Sequence, residues 1–374
     1  MVIGILGGGQ LARMIIEETG KFGFRYKIMS DIPGSPAGQI CSDQVTGKFS
    51  DFDALKKFTD GCSIITLENE FIDQKYVEFI ENLGVKVLPG SAIVGMIQDK
   101  LVQKNKLREI GIPVPAYGVT ETAEDIRRFA ERFGYPVILK SRTMGYDGKG
   151  NYRIDNESQI NNAFETLSRR GKLFCEEFVN FTRELAVQAV RSTNGEIVIY
   201  PVVESVQKDH ICNIVKAKKN FEGKLTEKIV IMAETILKGI DYTGVLGIEL
   251  FEKENDEVVV NELAPRVHNT GHYTIEGCHV SQFENHIRAI LGMPLGSAEM
   301  KYEAAVMINI LGERNGIANP EGTDELLKEK NAYIHIYGKE ETRKGRKMGH
   351  ITVTGDDLSE VLRKANELHS KIKI

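Results

Sequence analysis

One stretch, Val258-Val259-Val260-Asn261-Glu262-Leu263-Ala264-Pro265-Arg266-Val267-His268-Asn269-Thr270-Gly271-His272, is the most informative in the chain. An apolar run typical of a strand leads directly into a segment that carries an amide, a carboxylate, a guanidinium and two imidazoles. Strand ends that pass into loops are where α/β and α+β enzymes place their chemistry. A loop exposed for solubility would more commonly use Lys, Ser and Glu. The stretch therefore predicts an active-site segment.

A second strand, residues 243–252, precedes this one and is joined to it by an acidic turn near residues 255–256. In such a hairpin Glu249 and Glu262 are about equally far from the turn and can face the same side. Two carboxylates with Asn261 beside them suit Mg²⁺, which takes hard oxygen ligands and commonly needs one or two carboxylates plus substrate phosphates. A pair of exposed sheet acids is the alternative.

The N-terminal segment predicts a site of another kind. A short apolar run, residues 2–6, turns through Gly7-Gly8-Gly9-Gln10 into an amphipathic helix, and a second strand ends at Asp31. This arrangement fits the dinucleotide fingerprint, with Asp31 placed to hold a ribose. The physical requirement is more general, because glycines let any phosphate approach the free N–H groups of a helix N-terminus. We expect a phosphate at this turn, with NAD the less favoured ligand.

Further strands at 63–68 and 85–89, alternating with helices, predict a parallel sheet with flanking helices. Glu68 and Glu70 come just after a strand end, where open α/β sheets bind ligands, although solvated loop acids are an equal alternative. A single helix over residues 91–110, ended by Ile112-Pro113-Val114-Pro115, is expected near the first domain boundary.

Residues 116–200 form a different unit, with a helix at 124–133 and a strand at 136–140. Thr143-Met144-Gly145-Tyr146-Asp147-Gly148-Lys149-Gly150-Asn151 follows and leads into a strand at 152–154, which predicts a hairpin. Glycine-rich hairpin loops often close over nucleotide phosphates, and a plain hairpin turn is the alternative. Near the C-terminus, helices are expected at 323–330 and 358–370. A second loop there is basic, and it is either a solvated turn or a phosphate clamp. Its charged residues are Lys339, Arg343, Lys344, Arg346, Lys347 and His350.

Bulk properties exclude several classes of protein. The 374 residues predict two or three domains, and the formal net charge of -5 gives no reason to expect nucleic acid. No apolar run approaches the length of a membrane span, and the N-terminus lacks the basic region of a signal peptide. Five cysteines without Cys-x-x-Cys spacing indicate reduced thiols in the cytoplasm and argue against structural zinc. A nucleophilic Cys278 is disfavoured.

In their order along the chain, these motifs resemble the ATP-grasp superfamily and, within it, the 5-(carboxyamino)imidazole ribonucleotide synthetase (PurK) family. The resemblance rests on residues 6–14, 145–150, 261–272, 281–284 and 345–350. It implies an α/β and α+β fold of three domains. These are a doubly wound, Rossmann-like preATP-grasp domain (1–95), an ATP-grasp domain (96–295, with the loop-bearing subdomain at about 116–200) and a small C-terminal domain (296–374).

The family activity implied is a ligase reaction. ATP and Mg²⁺, with two ions expected, activate bicarbonate as carboxyphosphate, and aminoimidazole ribonucleotide is carboxylated after carboxyphosphate yields CO2, in purine biosynthesis. The implied partners are these small molecules and a second copy of the chain in a homodimer, with no NAD, zinc, nucleic acid or membrane.

The resemblance also implies roles for individual residues. Those expected around ATP are Lys100, Lys140, Gly145, Tyr146, Asp147, Gly148, Lys149, Gly150, Asn151, Glu176, Glu177, Phe178, Val179, Glu184, Gln207, Asn261 and Glu262. Glu249 and Glu262 are expected to bind magnesium. The residues expected at the transferring phosphoryl group and the carboxylating centre are Arg266, His268, Asn269 and Tyr146. Those expected to hold aminoimidazole ribonucleotide are Gly8, Gln10, Glu68 or Glu70, Lys339, Arg346 and Lys347.

The sequence departs from the family pattern in several places, and two of them concern predicted ligand contacts. Gln207, with His210 slightly later, stands where the family usually has a histidine, and Glu68-Asn69-Glu70-Phe71 deviates from the usual Glu-x-Glu-Asn. Three alternatives remain: a formate-using glycinamide ribonucleotide transformylase, a biotin carboxylase, and an NAD-dependent oxidoreductase built on the first domain. Whether His268 acts as a base or positions CO2 is left open by the sequence.

Overall fold

The structure is a computed structural model that describes residues 1–143, 145 and 150–374, apart from the side chain of residue 255. Its strands are β1 (Val2–Leu6), β2 (Arg25–Ser30), β3 (Gln44–Thr46), β4 (Ile64–Leu67), β5 (Tyr117–Thr120), β6 (Val137–Ser141), β7 (Asn151–Ile154), β8 (Leu173–Glu177), β9 (Arg183–Arg191), β10 (Ile197–Ile199), β11 (Val203–Lys208), β12 (Ile211–Lys218), β13 (Gly244–Glu252), β14 (Val258–Ala264), β15 (Ala304–Leu311), β16 (Gly316–Ile317), β17 (Ala332–Ile336), β18 (Glu341–Thr342) and β19 (Lys347–Gly355). Its helices are α1 (Gln10–Thr19), α2 (Phe52–Thr59), α3 (Gln74–Asn82), α4 (Ser91–Gln98), α5 (Lys100–Glu109), α6 (Ala123–Phe133), α7 (Ile160–Ser168), α8 (Gly223–Gly239), α9 (Thr274–Gly277), α10 (Gln282–Leu291), α11 (Asp324–Leu327) and α12 (Leu358–His369).

The N-terminal unit is a parallel sheet in the order β3-β2-β1-β4. The apolar side chains of β1 are buried on both faces, as expected of a parallel strand covered by helices. β3 was not predicted, because three residues at a sheet edge carry no apolar period. The strand predicted at 85–89 is instead one bridge, Val87 to Ile65, since Pro89 has no N–H to continue a ladder.

The single helix expected over 91–110 is two helices that meet at Asp99. The backbone of Asp99 is extended, and its carboxylate accepts from the N–H groups of Leu101 (3.1 Å) and Val102 (3.3 Å). Aspartate is a strong N-cap and therefore starts a new helix in the middle of an otherwise helical pattern. Arg142 donates to the same carboxylate at 2.9 Å, which ties the start of α5 to the end of β6. The helix expected at 323–330 is likewise shorter and is confined to α11.

The glycine-rich segment belongs to a small antiparallel sheet in the order β5-β8-β6-β7. β6 and β7 pair as the predicted hairpin, and Lys140 lies opposite Asn151. Helices α6 and α7 bury Ile126, Phe129 and Ala163 against the sheet. This unit carries one wall of the site described below.

A nine-stranded sheet runs through the central and C-terminal parts of the chain, in the order β14-β13-β9-β11-β12-β15-β19-β17 with β10 beside β9, and β16 and β18 form a separate two-stranded sheet. It runs without interruption across residue 296, because β12 pairs with β15 from Ile214 to Lys218. Helix α8 packs on its central strands through Ile229, Ile236 and Leu237. Within the described residues, no helix is both long enough and apolar enough to cross a bilayer.

Candidate active site

The paired glutamates of the β13–β14 hairpin form the centre of the site. Glu249 and Glu262 are direct cross-strand partners, and the register shifts immediately after Glu249. Burial, together with the neighbouring Glu262 and Glu184 carboxylates, raises the pKa of Glu249 to about 8. Burial also opposes ionisation of Glu262, but the Lys100 ammonium outweighs it, so the pKa of Glu262 is lowered. Two crowded carboxylates of this kind provide hard oxygen ligands for a divalent cation.

Helix α5 brings two lysines to these acids. Lys100 Nζ lies 2.9 Å from Glu262 Oε2, and one turn later Lys104 Nζ lies 2.5 Å from Glu176 Oε1 and donates to the Asn261 carbonyl at 3.1 Å. Glu176, on β8, also contacts the Lys140 ammonium from β6. Burial opposes the Glu176 charge, but the two lysines outweigh burial and lower its pKa. The sequence analysis missed Lys104, although its i, i+4 spacing from Lys100 on a helix was the available signal.

The two ends of the glycine-rich loop lie together. A Cβ on Gly150 would approach the Gly145 Cα to 3.3 Å, and Gly150 has a φ of +94°. The Ser141 N–H donates to the Gly150 carbonyl at 2.8 Å, which closes the base of the loop against β6. The predicted roles of Tyr146, Asp147, Gly148 and Lys149 concern residues outside the described part of the chain.

The residues expected around the nucleoside lie along β8, the segment after it, and β9. Glu184 accepts a hydrogen bond from Gln207, and burial raises the pKa of Glu184. The Arg153 guanidinium stacks over the Phe178 ring, with its Cζ 4.4 Å from the ring centre. Val179 is buried. Glu177 donates its N–H to the Ala116 carbonyl. Gln207, at the family's histidine position, therefore lies beside the predicted ribose ligand.

Arg266, at the turn after β14, reaches across to the N-terminal unit. Its Nη2 lies 2.7 Å from Glu70 Oε1, and its Nη1 donates to the Val267 carbonyl at 3.0 Å. Glu68 is close enough for its charge to raise the pKa of Arg266 as well, although burial opposes this. Both glutamates after the β4 strand end thus face the active-site segment and are not solvated loop acids.

The glycine turn is already in contact with an acid. A Cβ on Gly7 or Gly9 would come within 2.3 or 2.4 Å of the Glu68 carboxylate, and Leu11 donates its N–H to that carboxylate at 3.4 Å. Burial raises the pKa of Glu68, although Arg266 and the backbone donors lower it. The expected phosphate would share these N–H donors with Glu68. Gly8 packs on Ser35, and Gln10 begins α1.

The basic C-terminal hairpin faces the same turn. Lys339 Nζ donates to the Lys347 carbonyl at 2.5 Å. Burial and the Arg346 charge lower the pKa of Lys339 to about 7, while Glu68 opposes this shift. Gln39, near the N-terminal sheet, donates to the Gly338 carbonyl at 2.6 Å. The hairpin is therefore docked on the N-terminal unit, as a phosphate clamp would require.

His268 is held by its backbone and its surroundings. Its N–H donates to Gln282 Oε1 at 2.9 Å, and its carbonyl accepts from Gln282 Nε2 at 2.7 Å. A Cβ on Gly247 would lie 2.7 Å from the His268 Cβ, so β13 needs a glycine at this point. Burial lowers the pKa of His268 well below its usual range, and Arg266 and Lys347 lower it further. The ring Nε2 lies 3.6 Å from Glu249 Oε1.

Asn269, expected at the carboxylating centre, has both side-chain polar atoms engaged by Asn309. The two amides exchange hydrogen bonds of 3.0 and 2.6 Å, and Asn309 also donates to the Cys212 carbonyl at 2.8 Å. In this arrangement Asn269 braces the segment against β15. The amide has a second N–H and a second oxygen lone pair, which its predicted catalytic role could use while this pair stays closed.

Together these groups form a continuous strip. Carboxylates and lysines that suit a divalent cation and phosphates lie at one end, and a glycine turn, two glutamates and a basic hairpin lie at the other. Arg266 and His268 stand between them on one short segment. Such an arrangement can hold a polyphosphate and a second anionic substrate while a group passes from one to the other.

Three family models match the chain. They are the ribonucleotide synthetase preATP-grasp domain over residues 1–98, the ATP-grasp domain over residues 105–283, and the phosphoribosylaminoimidazole carboxylase C-terminal domain over residues 305–364.

The chain is 37% identical to an N5-carboxyaminoimidazole ribonucleotide synthase of Bacillus subtilis, over 94% of this chain and 90% of that one. It is also 37% identical to a phosphoribosylaminoimidazole carboxylase of Candida albicans, over 96% of this chain but only 64% of that one. The chain thus spans less than two thirds of the length of that longer relative.

Two solved structures share the fold. An N5-carboxyaminoimidazole ribonucleotide synthetase from Thermotoga maritima matches with a TM-score of 0.89 and 38% identity, over 100% of this chain and 98% of that one. The second is an N5-carboxyaminoimidazole synthase from Aspergillus clavatus in complex with ADP and 5-aminoimidazole ribonucleotide. It matches with a TM-score of 0.89 and 35% identity, over 99% of this chain and 98% of that one.

Proposed function

The chain belongs to the N5-carboxyaminoimidazole ribonucleotide synthetase family of ATP-grasp enzymes, and from this premise we propose that it carboxylates 5-aminoimidazole ribonucleotide. Bicarbonate and ATP are the co-substrates, and ADP, phosphate and N5-carboxyaminoimidazole ribonucleotide are the products, in purine biosynthesis. The observation that carries the proposal is the segment after β14. It joins Glu262 on the phosphate side to Arg266, which contacts Glu70 of the N-terminal unit, and to His268, whose Nε2 lies near Glu249.

The proposed reaction has two steps. A bicarbonate oxygen attacks the γ-phosphorus of ATP, the bond from that phosphorus to the ADP oxygen breaks, and ADP leaves with the electron pair. The bond from the carboxyl carbon to the bridging oxygen of carboxyphosphate then breaks, and phosphate keeps the electron pair while CO2 forms. The amine of aminoimidazole ribonucleotide bonds to the CO2 carbon and gives one proton to the phosphate. Carboxyphosphate hydrolyses readily in water, so the loop between Gly145 and Gly150 is proposed to cover it.

On the ATP side, Lys100 and Lys140 are proposed to hold the phosphates, and Glu184 the ribose. In the structure these lysines are paired with Glu262 and Glu176. Arg266 is proposed to approach the transferring phosphoryl group, where negative charge spreads over three oxygens. A fixed guanidinium stabilises that charge without the reorganisation that water would need.

Glu249 and Glu262 would hold Mg²⁺, with Asn261 beside them. The raised pKa of Glu249 fits this proposal, since two adjacent buried carboxylates repel one another until a cation lies between them. The bound ion would neutralise phosphate charge and polarise the γ-phosphoryl group. Two ions remain the proposed number, as predicted from the family resemblance.

The metal proposal predicts that Glu262→Gln raises the Mg²⁺ concentration needed for half-maximal ADP release. The matched control is Glu257→Gln, which changes an exposed acid at the far end of the same hairpin. If both variants showed the Mg²⁺ dependence of the native protein, Glu262 would not be a ligand.

On the substrate side, the basic hairpin of Lys339, Arg346 and Lys347 is proposed to hold the ribonucleotide phosphate. The glycine turn with Gly8 and Gln10 is proposed to bind the same phosphate, and Glu68 or Glu70 to contact the substrate. The Aspergillus clavatus relative is in complex with ADP and 5-aminoimidazole ribonucleotide, which supports the proposal that this chain binds both molecules. A homodimer and a cytoplasmic location stay predictions, to be measured by sedimentation and cell fractionation.

The test is ADP release with defined substrate pairs. We expect rapid release with bicarbonate plus aminoimidazole ribonucleotide, and little with formate plus glycinamide ribonucleotide or with bicarbonate plus biotin. Preference for either of the other pairs would favour a different ATP-grasp ligase. Tight NADH binding without substrate-dependent ADP release would favour the oxidoreductase alternative.

A further inference from the structure

The geometry points to a defined tautomer of His268. We infer that its proton is on Nε2 and that Thr270 and Gln188 keep it there, so that His268 presents a hydrogen-bond donor, and not a base, to the reaction centre. The inference deepens the proposed function and rests on it for the identity of the acceptor, which is an anionic oxygen of bicarbonate or carboxyphosphate. The tautomer itself does not depend on which substrate is bound.

The first observation concerns His268 Nδ1, which two groups approach. The Thr270 hydroxyl lies 2.8 Å from it, and the Thr270 backbone N–H lies 3.5 Å from it at the start of a short 3-10 turn. A backbone N–H can only donate. Nδ1 must therefore act as an acceptor, and a neutral imidazole that accepts at Nδ1 carries its proton on Nε2.

The second observation concerns the other partner of the Thr270 hydroxyl. Gln188, on β9, donates from Nε2 to Thr270 Oγ1 at 2.7 Å. Because an amide nitrogen only donates, this bond occupies an acceptor position of the hydroxyl and leaves its proton for His268 Nδ1. Gln188 and Thr270 are both fully buried, at 0% exposure.

The third observation concerns where the ring points. Gln282 binds the His268 backbone at both its N–H and its carbonyl, and β13 packs against its Cβ at Gly247. With the ring so held, Nε2 faces Glu249 Oε1 at 3.6 Å, which is too long for a hydrogen bond. The N–H therefore faces the predicted cation and phosphate side of the site.

The consequence is a division of roles. The lone pair of the ring is turned to Thr270 and is not available to take a proton from the substrate amine. The N–H can stabilise negative charge on an oxygen as the carboxyl group is transferred. Thr270 and Gln188 touch no substrate and are positioning residues.

The experiment measures the tautomer directly, in the full-length protein labelled with 15N-histidine. The His268 signals are identified by their absence from the spectrum of His268→Gln. One-bond 15N–1H coupling is expected on Nε2 and none on Nδ1. A proton found on Nδ1 in the native protein would overturn the inference, whatever the activity of the variants.

Thr270→Val tests the positioning role, because valine keeps the shape and removes the hydroxyl. We expect loss of the pure Nε2–H state and a fall in kcat of roughly 10- to 100-fold, with the KM for ATP nearly unchanged. Thr270→Ser restores the hydroxyl and should rescue both readouts. Thr354→Val is the control, since that buried hydroxyl has no partner among the described residues.

The outcomes separate the two proposals. Native kcat in Thr270→Val, or failure of Thr270→Ser to rescue it, would overturn the positioning role. If Thr270→Val did not fold, the native spectrum would still decide the tautomer. An Nε2–H tautomer in a protein that releases no ADP with aminoimidazole ribonucleotide would overturn the proposed function and leave the tautomer standing.

Discussion

At the scale of single residues, the site is built from buried charges that neutralise one another. Glu176 is 2% exposed and lies between Lys104 and Lys140, which leaves one positive charge in excess. A buried carboxylate is tolerated only when its partners are close and well placed. The excess charge suits a phosphate, which would draw Lys140 while Lys104 continued to compensate Glu176. The role of Lys104 is therefore to compensate the buried Glu176 carboxylate, and this role is visible only in the structure.

The ion pair between Arg266 and Glu70 suggests how ATP turnover is coupled to the second substrate. In the structure Glu70 forms an ion pair with the Arg266 guanidinium, which is proposed to contact the transferring phosphoryl group. We expect Glu70→Gln to weaken this ion pair and to raise ADP release in the absence of aminoimidazole ribonucleotide. The same variant should also raise the KM for aminoimidazole ribonucleotide.

The measurement is ADP release with ATP and bicarbonate alone, then with the ribonucleotide added. Glu78→Gln, on helix α3 and exposed, is the control. A fall in ribonucleotide-independent release in Glu70→Gln would show that the pair does not restrain Arg266.

At the scale of secondary-structure elements, the β13–β14 hairpin was readable and the helix before it was not. The count of residues from the acidic turn predicted that Glu249 and Glu262 share a face, and they are direct partners. The break at Asp99 was missed because the apolar period continues through it, while the cap depends on side-chain hydrogen bonds. The spacing of apolar residues identifies the buried face of a helix, whereas the capping residues identify where the helix begins or ends.

Gly247 tests the packing of β13 on the active-site segment. We expect Gly247→Ala to displace His268, because the added Cβ would lie 2.7 Å from the His268 Cβ. A displacement of about 1 Å at a reacting group can cost roughly 100-fold in rate. We therefore predict a large fall in kcat in a folded protein, measured together with its melting temperature.

Gly223→Ala is the matched control, since a Cβ at this helical position meets nothing within 4 Å. Equal kcat in the two variants would mean that His268 tolerates the shift and that its position is not critical.

At the scale of the whole molecule, the order of motifs along the chain predicted the three-domain ATP-grasp architecture and the family, and both predictions are confirmed. What the sequence could not provide were contacts between distant segments. Arg266 meets Glu70 across 196 positions, and Gln188 meets Thr270 across 82. Such pairs depend on how separate units dock, and no local pattern encodes docking. The proposed domain boundaries at 95 and 295 remain predictions, and the large sheet crosses the second.

His286 on α10 links the N-terminal sheet to β13. Its Nδ1 accepts from the Val245 N–H at 3.1 Å, and its Nε2 lies 2.7 Å from the Thr66 hydroxyl. Burial lowers the pKa of His286 to about 4 from its ordinary 6.5. Between these pH values the unfolded chain binds a proton that the folded chain does not, so the free energy of unfolding falls as pH drops from 6.5 to 4.

We predict that His286 alone accounts for roughly 2 kcal/mol of this loss between pH 7 and pH 5. Urea unfolding of the native protein and of His286→Gln at pH 7 and pH 5 measures it. The variant should be less stable at pH 7 but should lose less stability on acidification. The difference between the two losses should equal the contribution of one titrating group. Parallel pH dependence in the two proteins would show that His286 is protonated in the fold.

The most direct test of the central claim follows one oxygen. If bicarbonate attacks the γ-phosphorus of ATP, the oxygen that forms the new bond stays with phosphorus when phosphate leaves. Fresh 18O-labelled bicarbonate, supplied with ATP, Mg²⁺ and aminoimidazole ribonucleotide, should give phosphate that carries one labelled oxygen, in equal amounts with ADP and the carboxylated product. Unlabelled phosphate released with ADP would show that water, and not bicarbonate, attacks ATP, and would contradict the account.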